Sequence, residues 1–269
     1  MKIEFHGADR GVTGSCHLIE CGGTRVLIDC GLYQGGRELD VENMGAFGFE
    51  PADIDFVLLT HAHLDHCGRL PLLVKRGFRG EILTTGASRE LLRLVLLDAA
   101  HVHGEEALRR ARHTAPKGAQ SAAAPLYTIV DALHTMDFVG LAAQYGVPMR
   151  LAPGIEATFL DAGHILGSAS VLLELAESGV RRRVLFSGDI GNLGRPLLRS
   201  APPPPQVDAV VMESTYGDRL HKPIGASIEE LYQAITAAFG RGGNVVIPSF
   251  ALERAQELLF CLRLGVETG

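Results

Sequence analysis

Apolar residues along this chain fall into short runs bounded by glycine, proline or acidic residues. Runs at 3–5, 16–20, 25–29, 56–60 and 81–84 form an early group, and runs at 157–160, 171–175, 184–187, 209–213 and 245–248 a later one. Their lengths and their Val, Ile, Leu and Phe content predict β-strands. The pair around Gly22-Gly23 reads as a hairpin over 16–29. Helical spacing marks 70–75 and 91–98, and predicts a third helix within 127–145. Residues 104–125, rich in Ala, Arg and Gly, show little periodicity and read as a surface excursion. Four prolines at 202–205 form a stiff, extended connector.

The pattern then changes. Ser227 with Glu230 has the spacing of a capping box, and Ile228, Leu231, Ile235 and Ala238 share one face of the helix that follows and stops at Gly240. Gly242-Gly243 leads into the run at 245–248, and another helix is predicted over about 252–263. Strands mixed with helices on a large apolar content predict an α/β fold, with sheets covered by helices. The last fifty or so residues read as the opening of a second α/β unit, so the chain is expected to end partway through a domain.

Composition adds bounds. With 269 residues, 46% hydrophobic, the chain is large enough for one big core or a core plus a second piece. A formal charge of −6 gives no global basic field, which argues against unspecific coating of DNA or RNA. It leaves room for a nucleic-acid enzyme, because bound cations supply positive charge locally. The five cysteines, Cys16, Cys21, Cys30, Cys67 and Cys261, form no CxxC pair and read as buried or semi-buried thiols in a reducing compartment. The N-terminus lacks a signal-peptide core, and the most apolar stretch, 91–100, is broken by Arg93 and Asp98. Spanning a bilayer takes about 20 apolar residues. The expectation is a soluble, cytoplasmic protein with no membrane partner.

The chemistry concentrates after one strand. Thr60-His61-Ala62-His63-Leu64-Asp65-His66 follows the apolar run 56–59 directly. Burying such groups unpartnered costs roughly 1–3 kcal/mol each, a cost that a coordinated metal ion removes. Other strands end alike: Asp29 closes the run from Arg25, His164 follows 158–163, Asp189 follows 184–188, and Glu213 closes the run from Ala209. Five strands therefore deliver an acid or histidine at or just past their C-terminal ends, where α/β proteins build sites. Convergence on one metal centre is the economical reading. Nitrogen and carboxylate donors without thiolate suit Zn²⁺ with open positions.

These residues resemble the metallo-β-lactamase superfamily, whose motif is H-x-H-x-D-H followed by a distant His and a distant Asp. The narrower resemblance is to the β-CASP branch, RNA-processing nucleases. It is carried by Gly11-Val12-Thr13-Gly14-Ser15, Asp29-Cys30-Gly31-Leu32-Tyr33-Gln34-Gly35, residues 60–68, Gly163-His164-Ile165-Leu166-Gly167-Ser168, Ser187-Gly188-Asp189, Glu213-Ser214-Thr215-Tyr216-Gly217-Asp218 and residues 251–259. The resemblance implies a four-layer αββα metallo-β-lactamase domain over 1–217, followed by the N-terminal part of a β-CASP α/β domain over 218–269. It implies two Zn²⁺: His61, His63 and His164 hold the first, Asp65 and His66 the second, Asp189 bridges both, and Asp29 orients ligands from behind. Asp65, Asp189 and Glu213 are the catalytic acids. Glu213 resembles the acid that partners a returning histidine to protonate the leaving oxygen. That histidine and a further ligand of the second ion would lie beyond residue 269, so the second site is expected to be incomplete in this chain.

The implied function is zinc-dependent hydrolysis of phosphodiesters through a metal-bridged hydroxide, as an RNA endonuclease, a 5′-to-3′ exonuclease, or both. Single-stranded RNA is the expected partner, with DNA an alternative substrate and a dimer an open possibility. Two rival readings stand beside it: a thioester or lactone hydrolase using the same metals, and a non-catalytic RNA-binding homologue. His101 and His103 form a second H-x-H on a helical stretch, where i and i+2 diverge, so no metal is expected there. His6, His17, His113, His134 and His221 read as lone hydrogen-bonded or solvated histidines, and Arg181-Arg182-Arg183 as a solvated hairpin tip. Cys67 reads as packing, and Ser168 and Tyr216 either line the site or cap and pack. The glycine-rich 7–14 lacks the Lys-Ser/Thr ending of a P-loop.

Overall fold

A computed structural model describes residues 1–114 and 124–268. The first sheet opens with β1 (Lys2–Phe5), β2 (His17–Cys21) and β3 (Thr24–Ile28), antiparallel neighbours in that order. Gly22 and Gly23, both at positive φ, make the β2–β3 turn that the sequence predicts. Helix α1 (Arg37–Met44) precedes β4 (Phe56–Leu58), and the short helices α2 (Leu64–Cys67) and α3 (Leu70–Lys75) precede β5 (Glu81–Leu83). β4 and β5 join β3 in parallel, completing a sheet ordered β1-β2-β3-β4-β5.

Helices α4 (Gly86–Thr114) and α5 (Ile129–Thr135) lead to the second sheet: β6 (Met149–Ala152), β7 (Ile155–Asp161), β8 (Ala169–Glu177), β9 (Val180–Phe186) and β10 (Ala209–Val211). Its order is β10-β9-β8-β7-β6, antiparallel except for the β9–β10 pair. Helices α6 (Ile224–Gly240) and α7 (Arg254–Thr268) follow and touch through Tyr232, whose hydroxyl donates to the Cys261 carbonyl.

Side chains of the first sheet alternate between two cores. Leu18, Leu27, Val57, Leu59 and Ile82 face a helical layer with Leu70, Leu73, Phe78, Leu92, Leu96 and Tyr127. Ile19, Val26, Ile28, Leu58 and Leu83 face the other way, onto Ala157, Phe159, Val171, Leu173, Val184 and Phe186 of the second sheet. Burial on both faces is why β3 and β4 read as continuous apolar runs. The α/β sandwich expected from the sequence is therefore present, and its two sheets meet face to face.

Several expectations need correcting. Residues 104–114 continue α4, while 115–123 lie outside the described residues. Ala, Arg and Glu form helix well without apolar periodicity. Arg110 anchors this stretch by ion pairs to Asp40 (2.7 Å) and Glu106 (3.4 Å). The helix expected from Ser227 starts earlier, at Ile224, so no capping box forms there; the Ser227 hydroxyl donates back to the Pro223 carbonyl at 3.4 Å. Residues 245–248 are exposed and pair with no strand among the described residues. β6 is a half-exposed edge strand that the pattern does not announce. Arg181–Arg183 sit within β9, one step past the turn, with Arg183 paired to Glu174 at 2.8 Å.

Candidate metal centre

The centre forms where both sheets end on the same side. β3 and β4 of the first sheet lead into Asp29 and the His61–His66 turn, and β7 and β9 of the second lead into His164 and Asp189. Close backbone approach brings the loops together: a Cβ on Gly31 would lie 1.6 Å from the Asp65 carbonyl oxygen, and one on Gly191 1.6 Å from that of Gly163. Only glycine fits at either contact.

Asp29 is 1% exposed and sits at φ +59°, a region that L side chains rarely adopt. Its carboxylate is fully engaged. Oδ1 accepts the Thr60 N–H at 2.8 Å, while Oδ2 accepts from Ser15 Oγ at 3.1 Å and Thr60 Oγ1 at 3.0 Å and pairs with His66 Nδ1 at 2.7 Å. That last bond fixes the His66 ring and leaves Nε2 facing the cleft. There Nε2 lies 3.1 Å from Asp189 Oδ1 and 3.8 Å from Asp65 Oδ2. Burial opposes charge on His66, but the Asp29 and Asp189 carboxylates outweigh it and lift its pKa well above the ordinary 6.5.

Three imidazoles converge beside it. His61 Nε2 and His164 Nε2 each lie 3.1 Å from His63 Nδ1. The other oxygen of Asp189, Oδ2, lies 3.4 Å from His164 Nε2 and 3.8 Å from His61 Nε2. These four ligand atoms all fall within 4.8 Å of one another. One ring N–H cannot satisfy two neighbours, and a shared cation would resolve that competition for lone pairs. Burial, joined by the charge of His66, holds the His61 pKa well below its ordinary value; burial likewise lowers His63 and pushes His164 down to about 4. All three keep free electron pairs at neutral pH, as a divalent cation requires. Asp189 is ionised throughout that range: burial alone would raise its pKa, but the His66 hydrogen bond brings it to about 2. Burial raises Asp65 instead.

The surrounding loops are held in place. Ser168 Oγ accepts the N–H groups of His164 (3.0 Å) and Ile165 (3.2 Å), which gives it a capping role. Glu213 Oε1 accepts the Ile190 N–H at 2.7 Å, and its own N–H donates to Ser187 Oγ at 3.0 Å, bracing the turn that presents Asp189. Asp29, His66, Asp189 and Glu213 line one cavity of about 490 Å³, with His17 and Phe186 among its other walls.

All eight residues singled out in the sequence thus border one centre. The structure adds Ser15 and Thr60 as partners of Asp29, and Arg195, which donates to the His164 carbonyl at 2.6 Å. Thr60 and Ser15 lie inside the motifs, whereas Arg195 leaves no signal in spacing. His103 packs edge-on to Tyr127 (5.0 Å), and His6, His134 and His221 meet Glu4, Asp137 and Tyr216. The side chain of His113 lies outside the described residues. Cys67 Sγ donates to the Ala62 carbonyl at 3.6 Å, and the five cysteines are free and buried.

Residues 9–249 match the metallo-beta-lactamase superfamily, and the chain belongs to it. Its relatives narrow the place within that superfamily. It is 40% identical over 262 residues to Ribonuclease TTHA0252 of Thermus thermophilus, 32% over 272 residues to transcription termination factor FttA of Methanocaldococcus jannaschii, and 33% over 263 residues to endoribonuclease YSH1 of Kluyveromyces lactis. These alignments take in 97%, 100% and 95% of this chain, but 54%, 40% and 32% of the relatives. The chain spans about half the length of the first and less of the others. Relatives with these names bear out the resemblance to the RNA-processing β-CASP branch. No helix among the described residues is long and apolar enough to cross a membrane.

Proposed function

We propose that this chain carries the metal centre of a zinc-dependent phosphodiesterase that cuts single-stranded RNA. The carrying observation is the convergence of His61 Nε2, His63 Nδ1, His164 Nε2 and Asp189 within 4.8 Å. In this reading those four hold one Zn²⁺, and Asp65, His66 and the second oxygen of Asp189 hold another. The three nitrogen donors of the first ion, kept neutral by burial, fit it, and His66 would give up a proton to bind the second. Bound zinc there supplies Lewis acidity and an activated water at neutral pH.

The chain's own groups divide the remaining work. Asp29 holds the His66 ring by its Nδ1 and keeps Nε2 turned to the cleft. Asp189 offers one oxygen to each half of the centre. Glu213 lines the same cavity as His66 and Asp189, which favours a role in moving a proton to the leaving oxygen. Residues 1–217 form the catalytic domain, and 218–269 belong to a β-CASP domain that helps to hold RNA. Endonucleolytic and 5′-to-3′ exonucleolytic cleavage both fit, DNA is the alternative substrate, and the assembly is either monomer or dimer. Five free, buried thiols suit a reducing cytoplasm.

Purified protein with zinc, assayed on labelled single-stranded RNA, on DNA and on a panel of thioesters and lactones, tests this reading. RNA cleavage is expected, and His63→Ala and Asp189→Asn each lower it by more than the roughly 10–100-fold typical of outer-shell changes. Turnover of the small esters with none of RNA would replace the nuclease reading. Metal binding without any turnover would favour the RNA-binding homologue.

A further inference from the structure

Residues 250–257 lie against the ligand loops. Arg195, six positions after Asp189, donates from Nη1 to the His164 carbonyl at 2.6 Å and from Nη2 to Glu257 Oε2 at 2.7 Å. Arg254 donates to the same Glu257 oxygen at 3.3 Å. Glu253, held at φ +65°, accepts the Leu166 N–H at 3.3 Å, two residues past His164. The Phe250 ring centroid lies 6.2 Å from that of His63.

The pair is well shielded, with the Arg195 and Glu257 side chains 13% and 7% exposed. Glu257 Oε1 is buried and takes no hydrogen bond from any described group. The guanidinium contacts therefore carry the compensation of this carboxylate, and a planar fork suits two acceptors at once. With one arm on Glu257, the other rests on the His164 carbonyl. Ser168 fixes the same loop through the His164 N–H, so the backbone of this residue is gripped on both sides.

We propose that Arg195 and Glu257 form a positioning pair that sets His164 toward the metal and makes the first metal site depend on docking of the 250–257 segment. The inference rests on reading His61, His63, His164 and Asp189 as metal ligands. Coupling of this kind is reciprocal: docking tightens metal binding, and metal binding secures the docked segment.

The test uses the whole chain with two readouts, zinc affinity by competition with a chromophoric chelator and amide hydrogen exchange. Glu257→Gln and Arg195→Ala should each weaken the tighter zinc by about tenfold, at the low end for an outer-shell contact. The double variant should lose no more than either single one, since one connection is cut once. Zinc should slow exchange over 254–258 in the original protein and leave it unchanged in Glu257→Gln. Arg195→Lys retains the charge but not the fork and guards against a folding failure; it too should bind zinc more weakly. Lowered thermal stability with unaltered zinc affinity in Glu257→Gln and Arg195→Lys would overturn the proposal and leave the pair merely structural. Failure of the unsubstituted protein to bind zinc would instead remove the metal reading, and the positioning role with it.

Discussion

At the scale of single residues, environment decides what each histidine can do. His61, His63, His164 and His17 all have pKa values held below 6.5 by burial, whereas His66 is lifted above it by Asp29 and Asp189. The sign of the resulting pH dependence follows. Below 6.5 the unfolded chain protonates all of these rings, while the folded metal-free chain protonates only His66, so folding loses stability as pH falls toward about 4. Each depressed histidine contributes up to about 1.4 kcal/mol per pH unit within its window. His66 runs oppositely: its contribution is complete below 6.5 and is lost as pH rises through its raised value. Denaturant titrations of metal-free protein should therefore show stability falling between pH 6.5 and 4. A flat profile would mean that these rings are charged in the fold. The cluster was legible because acids and imidazoles stand at strand ends, and the resemblance gave Asp29 the task of orienting ligands; that it does so through His66 is read from the structure. Arg195 was not legible, since nothing near it in sequence states that it meets Glu257, 62 positions away.

At the scale of elements, short apolar runs located most strands because burial on both faces makes a strand continuously apolar. It failed where burial is slight. β6 lies at a sheet edge, and 245–248 has the composition of a strand but no partner among the described residues. The second half of α4 was missed for the opposite reason. Its Ala-, Arg- and Glu-rich stretch is helical through propensity and ion pairs rather than an apolar stripe. The turns around the centre depend on contacts that only glycine permits. Gly31→Ala would drive a Cβ to within 1.6 Å of the Asp65 carbonyl oxygen. A cost of at least about 1–3 kcal/mol, as for other overpacking, should appear as a lowered urea midpoint together with weaker zinc binding. Gly11→Ala, with nothing within 4 Å of the added Cβ, serves as the control and should change stability by less than about 0.5 kcal/mol. Equal midpoints for the two variants would show that the loops give way more easily than their packing implies.

At the scale of the molecule, the centre belongs to neither sheet alone. Asp29, His61, His63, Asp65 and His66 come from the first sheet's side, and His164 and Asp189 from the second's. A cation among them would tie the two halves of the sandwich together, and packing of Ile28 and Leu58 against Phe159 and Phe186 sets the distance it would bridge. Anomalous diffraction from zinc-loaded crystals at the zinc absorption edge examines this arrangement most directly. Two shared ions predict one peak enclosed by His61 Nε2, His63 Nδ1, His164 Nε2 and Asp189, and a second beside Asp65 and His66 on the far side of the Asp189 carboxylate. No peak at this convergence, or zinc held by other residues, would contradict the two-sheet metal centre and the nuclease chemistry built on it.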